Sequence, residues 1–293
     1  MNFFVQQLIN GLGTGAQYAL WCVGYGLVYQ VLGLMHFAHG DSLLFAIFVA
    51  STLMVIGVPF WIVVIFGCLL AAAIAITIER VLYRPIMSRG LTFLAFIAAM
   101  AGGFVLRSLV QVIWGVQPRT FPEGLLPSGD YTIGGIHIGM MQLMNLGVAL
   151  VVVVVFSLYL ARTRTGQAIL AVAQDRYASS LNGISVNKIV ALVYGLSGAI
   201  GFIGVVLYAA NYRSVTISLG FAITMKAFIA AIIGGIGSIR GAVFGGLALG
   251  LLEAFTAGYI STTLMDAIVT GFLIVFLLFR PYGITGRREL VKL

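Results

Sequence analysis

Charge is the scarcest property of this chain. Of its 293 residues only 8% are Asp, Glu, Lys or Arg, and just 8 are acidic. A soluble domain carries about 25% charged residues, so this chain cannot cover a water-facing surface. The two cysteines, Cys22 and Cys68, both fall in apolar runs, which argues against a disulfide framework and against Cys/His spacing for zinc. No HExxH, no Ser/His/Asp elbow and no paired carboxylates on one helix occur, so catalysis is not indicated. No GxxxxGK[ST] phosphate loop occurs either, so a nucleotide would have to be bound by a partner. The first 40 residues carry no Asp, Glu, Lys or Arg, and the positive region of a cleavable signal is missing.

What the chain does have is apolar length. It is 61% hydrophobic with a mean hydropathy of +1.11. Continuous runs of Leu, Ile, Val and Ala point to helices, because a membrane barrel would alternate polar and apolar residues. The fold class expected is all-α, a polytopic transmembrane bundle in a single domain over 1–293. Apolar segments fall at roughly 4–34, 41–58, 60–79, 91–114, 140–161, 189–210, 221–239, 241–260 and 263–279. Each clean segment is long enough to span ~30 Å of hydrocarbon. The first is long and Gly-rich and is either one tilted helix or one with a broken end. If it is re-entrant, the number of crossings falls from nine to eight.

The basic residues orient these segments. Arg80, Arg84 and Arg89, then Arg162, Arg164, Arg176 and Lys188, then Arg240, then Arg280, Arg287, Arg288 and Lys292 occupy every second connection. Basic residues collect in cytoplasmic loops, so the net charge of +8 reflects topology and not nucleic-acid binding. The loop 162–188 and the tail 280–293 are placed in the cytoplasm. The loop 115–139, with Pro118, Pro122 and Pro127 and the turn pairs Ser128-Gly129 and Gly134-Gly135, reads as an ordered external cap.

Three stretches stand out. In 234–250, Gly237/Gly241, Gly241/Gly245 and Gly246/Gly250 are each spaced four apart, which lets helices approach closely; such a stretch also suits a broken helix beside a pathway. In 35–41, His36, His39 and Asp41 surround Gly40 between two apolar spans. This reads as a polar helix break at the interface or as free backbone facing a substrate path. A metal site is disfavoured, because no other ligand cluster accompanies the histidines. In 162–188, Ile169, Leu170, Ala173, Tyr177 and Leu181 form one moderately amphipathic stripe, with Gly166 before it and Asn182-Gly183 after it. It is either a basic helix lying on lipid headgroups or one that docks into a partner's groove. Of the charges within apolar spans, Arg107, Lys226, Glu253 and Asp266, Glu253 is the better pathway candidate, and Lys226 suits an interface.

GLGTGAQYAL at 11–20, LMHFAHGD at 34–41, ERVLYRPI at 79–86, TRTGQAILAVAQDRYASSLNGISVNK at 163–188, KAFIAAIIGGIGSIRGAVFGG at 226–246 and LLFRPYGITG at 277–286 together resemble the inner-membrane permeases of branched-chain amino acid ABC transporters, of the shorter type. The resemblance covers essentially the whole chain. Family members usually carry Asn where this chain has His36, and permeases for urea and short-chain amides share the framework. The resemblance implies an importer permease in the bacterial inner membrane. Its partners would be a second, related or identical permease subunit, two ABC ATPase subunits holding ATP and Mg, a periplasmic substrate-binding protein and membrane lipid, with no nucleic acid and no cofactor in this chain. It implies an ATPase coupling loop including Arg164, Gly166, Ala168, Ala173, Asp175, Ala178 and Gly183. Path candidates are His36, His39, Asp41, Gly237 and Glu253. A stand-alone carrier or channel is the alternative from another class.

Overall fold

A computed structural model describes residues 2–121, 129–133 and 135–285. The helices are α1 Asn2–Leu32, α2 His39–Val55, α3 Phe60–Ile78, continued by a π-turn Glu79–Tyr83 and the short α4 Arg84–Met87, α5 Thr92–Trp114, α6 Met140–Arg162, α7 Arg164–Gln174, α8 Arg176–Leu181, α9 Val186–Tyr212, α10 Leu219–Gly234, α11 Ile239–Tyr259 and α12 Met265–Phe279. Stretches 60–87, 93–114, 140–162, 186–212 and 239–259 are long and apolar enough to cross a membrane, and α2, α10 and α12 are shorter apolar helices. The fold is a transmembrane helical bundle, as the apolar runs predict.

The Gly-rich first segment is one continuous helix of 31 residues, about 46 Å long at 1.5 Å per residue. It runs through the middle of the bundle, packed against α6, α9, α10 and α11. Glycine makes this possible. A Cβ on Gly11 would sit 2.8 Å from the Leu251 backbone, and one on Gly15 2.8 Å from Leu247. Gly246 and Gly250 of α11 in turn lie directly on Ala19 and Gly15 of α1. Close backbone approach is the driving force available where lipid and side chains are equally apolar. Gly245 packs on Ala230 of α10, and Gly198 of α9 on Ala71 of α3.

The glycine reading of 234–250 holds for Gly241, Gly245, Gly246 and Gly250 but not for Gly237. That residue precedes α11, in a turn where Gly235 and Gly237 both take positive φ, +98° and +87°. α10 therefore ends at Gly234, several residues before the expected 239. Ser238 starts α11 by accepting a hydrogen bond from the Gly241 amide at 3.0 Å.

Two small antiparallel pairs tie the opposite end of the bundle: β1 Arg119–Thr120 with β4 Ser214–Val215, and β2 Asp130–Ile133 with β3 Ile136–Gly139. Gln6 of α1 clamps this hairpin, donating to the His137 carbonyl at 2.7 Å and accepting from its amide at 2.8 Å. The described part of 115–139 is thus anchored to the fold. Pro122, Pro127, Ser128 and Gly134 lie outside the described residues, as do Arg287, Arg288 and Lys292 of the tail.

Candidate functional site

α1 ends at Leu32, and α2 does not begin until His39. The turn begins exposed at Gly33 and then dives into the bundle: His36, and His39 at the start of α2, are 1% and 0% exposed. His39 sits against Gly24 of α1 and Gly201 of α9, two positions where a Cβ would crowd its ring. Its Nδ1 is 3.4 Å from Ser197 Oγ. His36 Nδ1 is 2.9 Å from Tyr83 Oη of the π-turn. The Gly40 amide donates to Thr224 Oγ1 of α10 at 2.9 Å, which satisfies one backbone donor freed by the break. The Nε2 atoms of both histidines have no partner among the described residues.

Asp41, in the first turn of α2, is clamped by Arg107 of α5. Nε and Nη2 reach Oδ1 at 3.0 and 2.9 Å, and Nη2 also reaches Oδ2 at 3.1 Å. The Arg107 guanidinium also stacks on Phe104 and Phe221. On the other side of α10, Lys226 donates to Glu253 Oε2 of α11 at 2.9 Å and to Tyr18 Oη of α1 at 2.8 Å. Tyr18 donates to the same carboxylate oxygen at 2.6 Å. α10 therefore touches both ion pairs, through Gly220 beside Asp41 and Phe221 against Arg107, and through Lys226 towards α11. Charges in a bilayer interior are costly unless paired or hydrated, and these are paired.

The polar loop is two helices, not one amphipathic helix. Thr163 caps α7 by accepting from the Gly166 amide at 3.0 Å. Asp175 breaks the helix in an extended conformation and caps α8, accepting from the Ala178 amide at 2.9 Å. The expected stripe is split accordingly. Ile169 and Val172 of α7 are buried against the bundle, whereas Tyr177 and Leu181 of α8 are exposed. Gly166 lies flat on Tyr159 and Leu160, the last turn of α6. Arg176 folds inward and donates through Nε and Nη2 to the Val31 carbonyl, at 3.0 and 2.7 Å. It thereby caps the C-terminal end of α1, where a cation is favoured. Burial lowers its pKa from the ordinary arginine value.

The comparisons with known proteins bear on this arrangement. The family model described as "Branched-chain amino acid transport system / permease component" matches residues 7–278. The chain belongs to that family. The permease BraD of Pseudomonas aeruginosa, named for high-affinity branched-chain amino acid transport, is 36% identical, over 99% of this chain and 98% of its own length. LivH of Escherichia coli K12, named for the same kind of system, is 34% identical over the same shares. A chain of PsaBC from Streptococcus pneumoniae, solved with a Fab, shares the fold with a TM-score of 0.50 at 16% identity, covering 94% of this chain and 91% of that one.

In this permease the residues singled out from sequence separate into three places. His36, His39 and Asp41 converge at the α1–α2 break. Glu253 joins a second polar cluster across α10. Gly237 belongs to neither; a Cβ there would lie 3.8 Å from the side chain of Gln30, near the far end of α1. Arg164, Gly166, Ala168, Ala173, Asp175, Ala178 and Gly183 lie on the α7–α8 hairpin and its exit turn. Asp266 is exposed in the first turn of α12. Lys226 is not an interfacial lysine: it is the counter-ion of Glu253. The roles of Arg107, Tyr18, Tyr83 and Thr224 were not legible from spacing. One signal was available. The two cations and the two acids now paired were among the few charges in or beside apolar spans, and such charges need partners.

Proposed function

We propose that this chain is the membrane-spanning permease of an ATP-driven importer that moves branched-chain or other neutral amino acids into the bacterial cytoplasm. The observation that carries the reading is its likeness to permeases named for high-affinity branched-chain amino acid transport over 99% of its length. The α7–α8 hairpin suits the ATPase contact. It is rigidly rooted, with Gly166 on α6 and Arg176 on α1, and it offers Tyr177 and Leu181 outward as an aromatic-aliphatic anchor of the kind that fills a partner's pocket. The hairpin side is cytoplasmic, in keeping with the basic residues collected there. The partners are two ATPase subunits carrying ATP and Mg, a second permease subunit and a periplasmic binding protein. The Gln6-clamped hairpin is the external docking platform.

In this mechanism ATP-driven closure of the ATPases moves the α7–α8 hairpin. Arg176 passes that movement to the last turn of α1, which leads directly into the His36–Asp41 break. The break is built on two polar links, His36–Tyr83 and Asp41–Arg107, which can exchange partners as the bundle switches between outward and inward openings. The test is purification of the tagged chain in mild detergent from its native host, with mass spectrometry of what accompanies it and uptake assays after reconstitution. Co-purifying ATPases and a second permease are expected, with leucine uptake that requires ATP and the binding protein. Uptake by this chain alone would replace the reading with a self-sufficient carrier.

A further inference from the structure

At the coupling-hairpin end of the bundle lies a cavity of about 220 Å³ that the transport cycle above does not use. Leu32 of α1, Glu79 and Tyr83 of the π-turn, Arg84 of α4, Arg176 of α8 and Val190 of α9 line it. The electrostatics favour an anion. Both Glu79 oxygens are taken by Arg84, at 3.0 and 2.9 Å, so the acid is neutralised within the wall. Arg84 spends its other Nη2 hydrogen on the Asn187 carbonyl at 3.1 Å. Arg176 uses Nε and Nη2 on Val31. Among the described residues the Nη1 group of each arginine has no partner, and Arg176 is the cation left without an acid.

Guanidinium edges recognise carboxylates and phosphates, and a cavity this small with an aliphatic wall favours a carboxylate on a short apolar tail. The rest of the wall sets the tail: Leu32 and Val190 offer an aliphatic surface, and the volume suits a short chain. We propose that this cavity binds a short aliphatic carboxylate from the cytoplasmic side, and that the transported amino acid, once released inside, is the ligand and slows further import. This rests on the importer reading above. The slowing follows from Arg176. The guanidinium–carbonyl bonds to Val31 pair a cation with a neutral acceptor, whereas a carboxylate adds the attraction of opposite charges and can accept two parallel N–H bonds. A bound carboxylate therefore draws the guanidinium away from Val31 and unlinks the coupling hairpin from α1.

The test uses the complete importer in liposomes preloaded with ATP. The inner solution also holds unlabelled leucine, leucinol (which lacks the carboxylate) or 4-methyl-2-oxopentanoate (which lacks the ammonium), and initial uptake of labelled leucine is recorded. Internal leucine is expected to slow uptake by about fivefold or more, the usual range of site-to-site coupling, with leucinol without effect. Ser88→Phe, an exposed position in the cavity wall, is expected to remove the slowing and to leave uptake into leucine-free liposomes unchanged. Equal slowing by leucinol, slowing by the keto acid but not by leucine, or full inhibition persisting in S88F would each overturn the proposal. Uptake into leucine-free liposomes separately tests the importer reading. Should it be absent, equilibrium binding of labelled leucine to the purified complex, with S88F as the comparison, decides the cavity alone; no S88F-sensitive binding overturns it.

Discussion

Replacing Glu253 by glutamine isolates the Lys226–Glu253–Tyr18 cluster with almost no change of shape. The charges lie 2.9 Å apart, with the lysine side chain 19% and the glutamate 5% exposed. At an effective dielectric of about 20 their attraction is about 6 kcal/mol. Desolvation offsets much of this within the intact pair, but E253Q leaves Lys226 buried without an acid, which costs about 3–5 kcal/mol. At roughly 2–4 °C per kcal/mol the melting temperature should fall by roughly 6–20 °C. The assay is a thermal melt of detergent-solubilised protein at one fixed scan rate, on wild type, E253Q, Lys226→Met and the K226M/E253M double variant. The double variant removes both charges, so it should regain at least half of the loss. A melting temperature for E253Q within about 1 °C of wild type would refute the view that this pair holds α10 to α11. If uptake nevertheless vanished in that variant, Glu253 would belong on the substrate path.

Gly250→Leu should prevent α11 from closing on α1, because even a Cβ there collides with the Gly15 backbone; fluorescence-detected size exclusion should show no monodisperse peak. Tyr177→Ser with Leu181→Ser should leave the melting temperature unchanged, since both side chains are exposed, yet reduce recovery of ATPase subunits in a pull-down. Asp175→Ala removes the cap of α8 and should cost about 1 kcal/mol, visible as faster amide hydrogen exchange confined to 176–182. Asp41→Asn should weaken the hold on Arg107 and lower both thermal stability and uptake; normal values of both would remove the α2–α5 clamp from the mechanism.

Helix identity was legible because lipid imposes it: a chain with so little charge has only a closed backbone hydrogen-bond pattern to adopt. Hence the apolar segments map onto α1, α2, α3, α5, α6, α9, α10, α11 and α12 with shifts of a few residues. The turn at 33–38 was legible as a break, but its depth was not, because depth depends on Gly24 and Gly201 making room for His39. Helical periodicity misled at 166–183. Local capping by Asp175 outweighed a continuous apolar stripe, and the stripe then served two surfaces, Ile169 inward and Tyr177 outward. From sequence Lys226 suited an interface, and only the three-dimensional neighbourhood of Tyr18 and Glu253 reveals its partner. The resemblance supplied the transport class. It did not supply the link from Arg176 to Val31.

The bond between Tyr18 and Glu253 spans 235 residues of chain. At a synthesis rate of about 5–20 residues per second, α1 is made roughly 12–47 s before the helix that completes its surroundings. During that interval its glycine face has no α11 to lie on, and Tyr18 has neither the carboxylate nor the lysine it will meet. α1 is thus made long before its surroundings are finished. The cell's insertion machinery must shelter it for that interval, or lipid must fill the groove temporarily and be expelled when α11 arrives. A ribosome-bound chain halted before Gly246 would be the form in which that shelter can be caught.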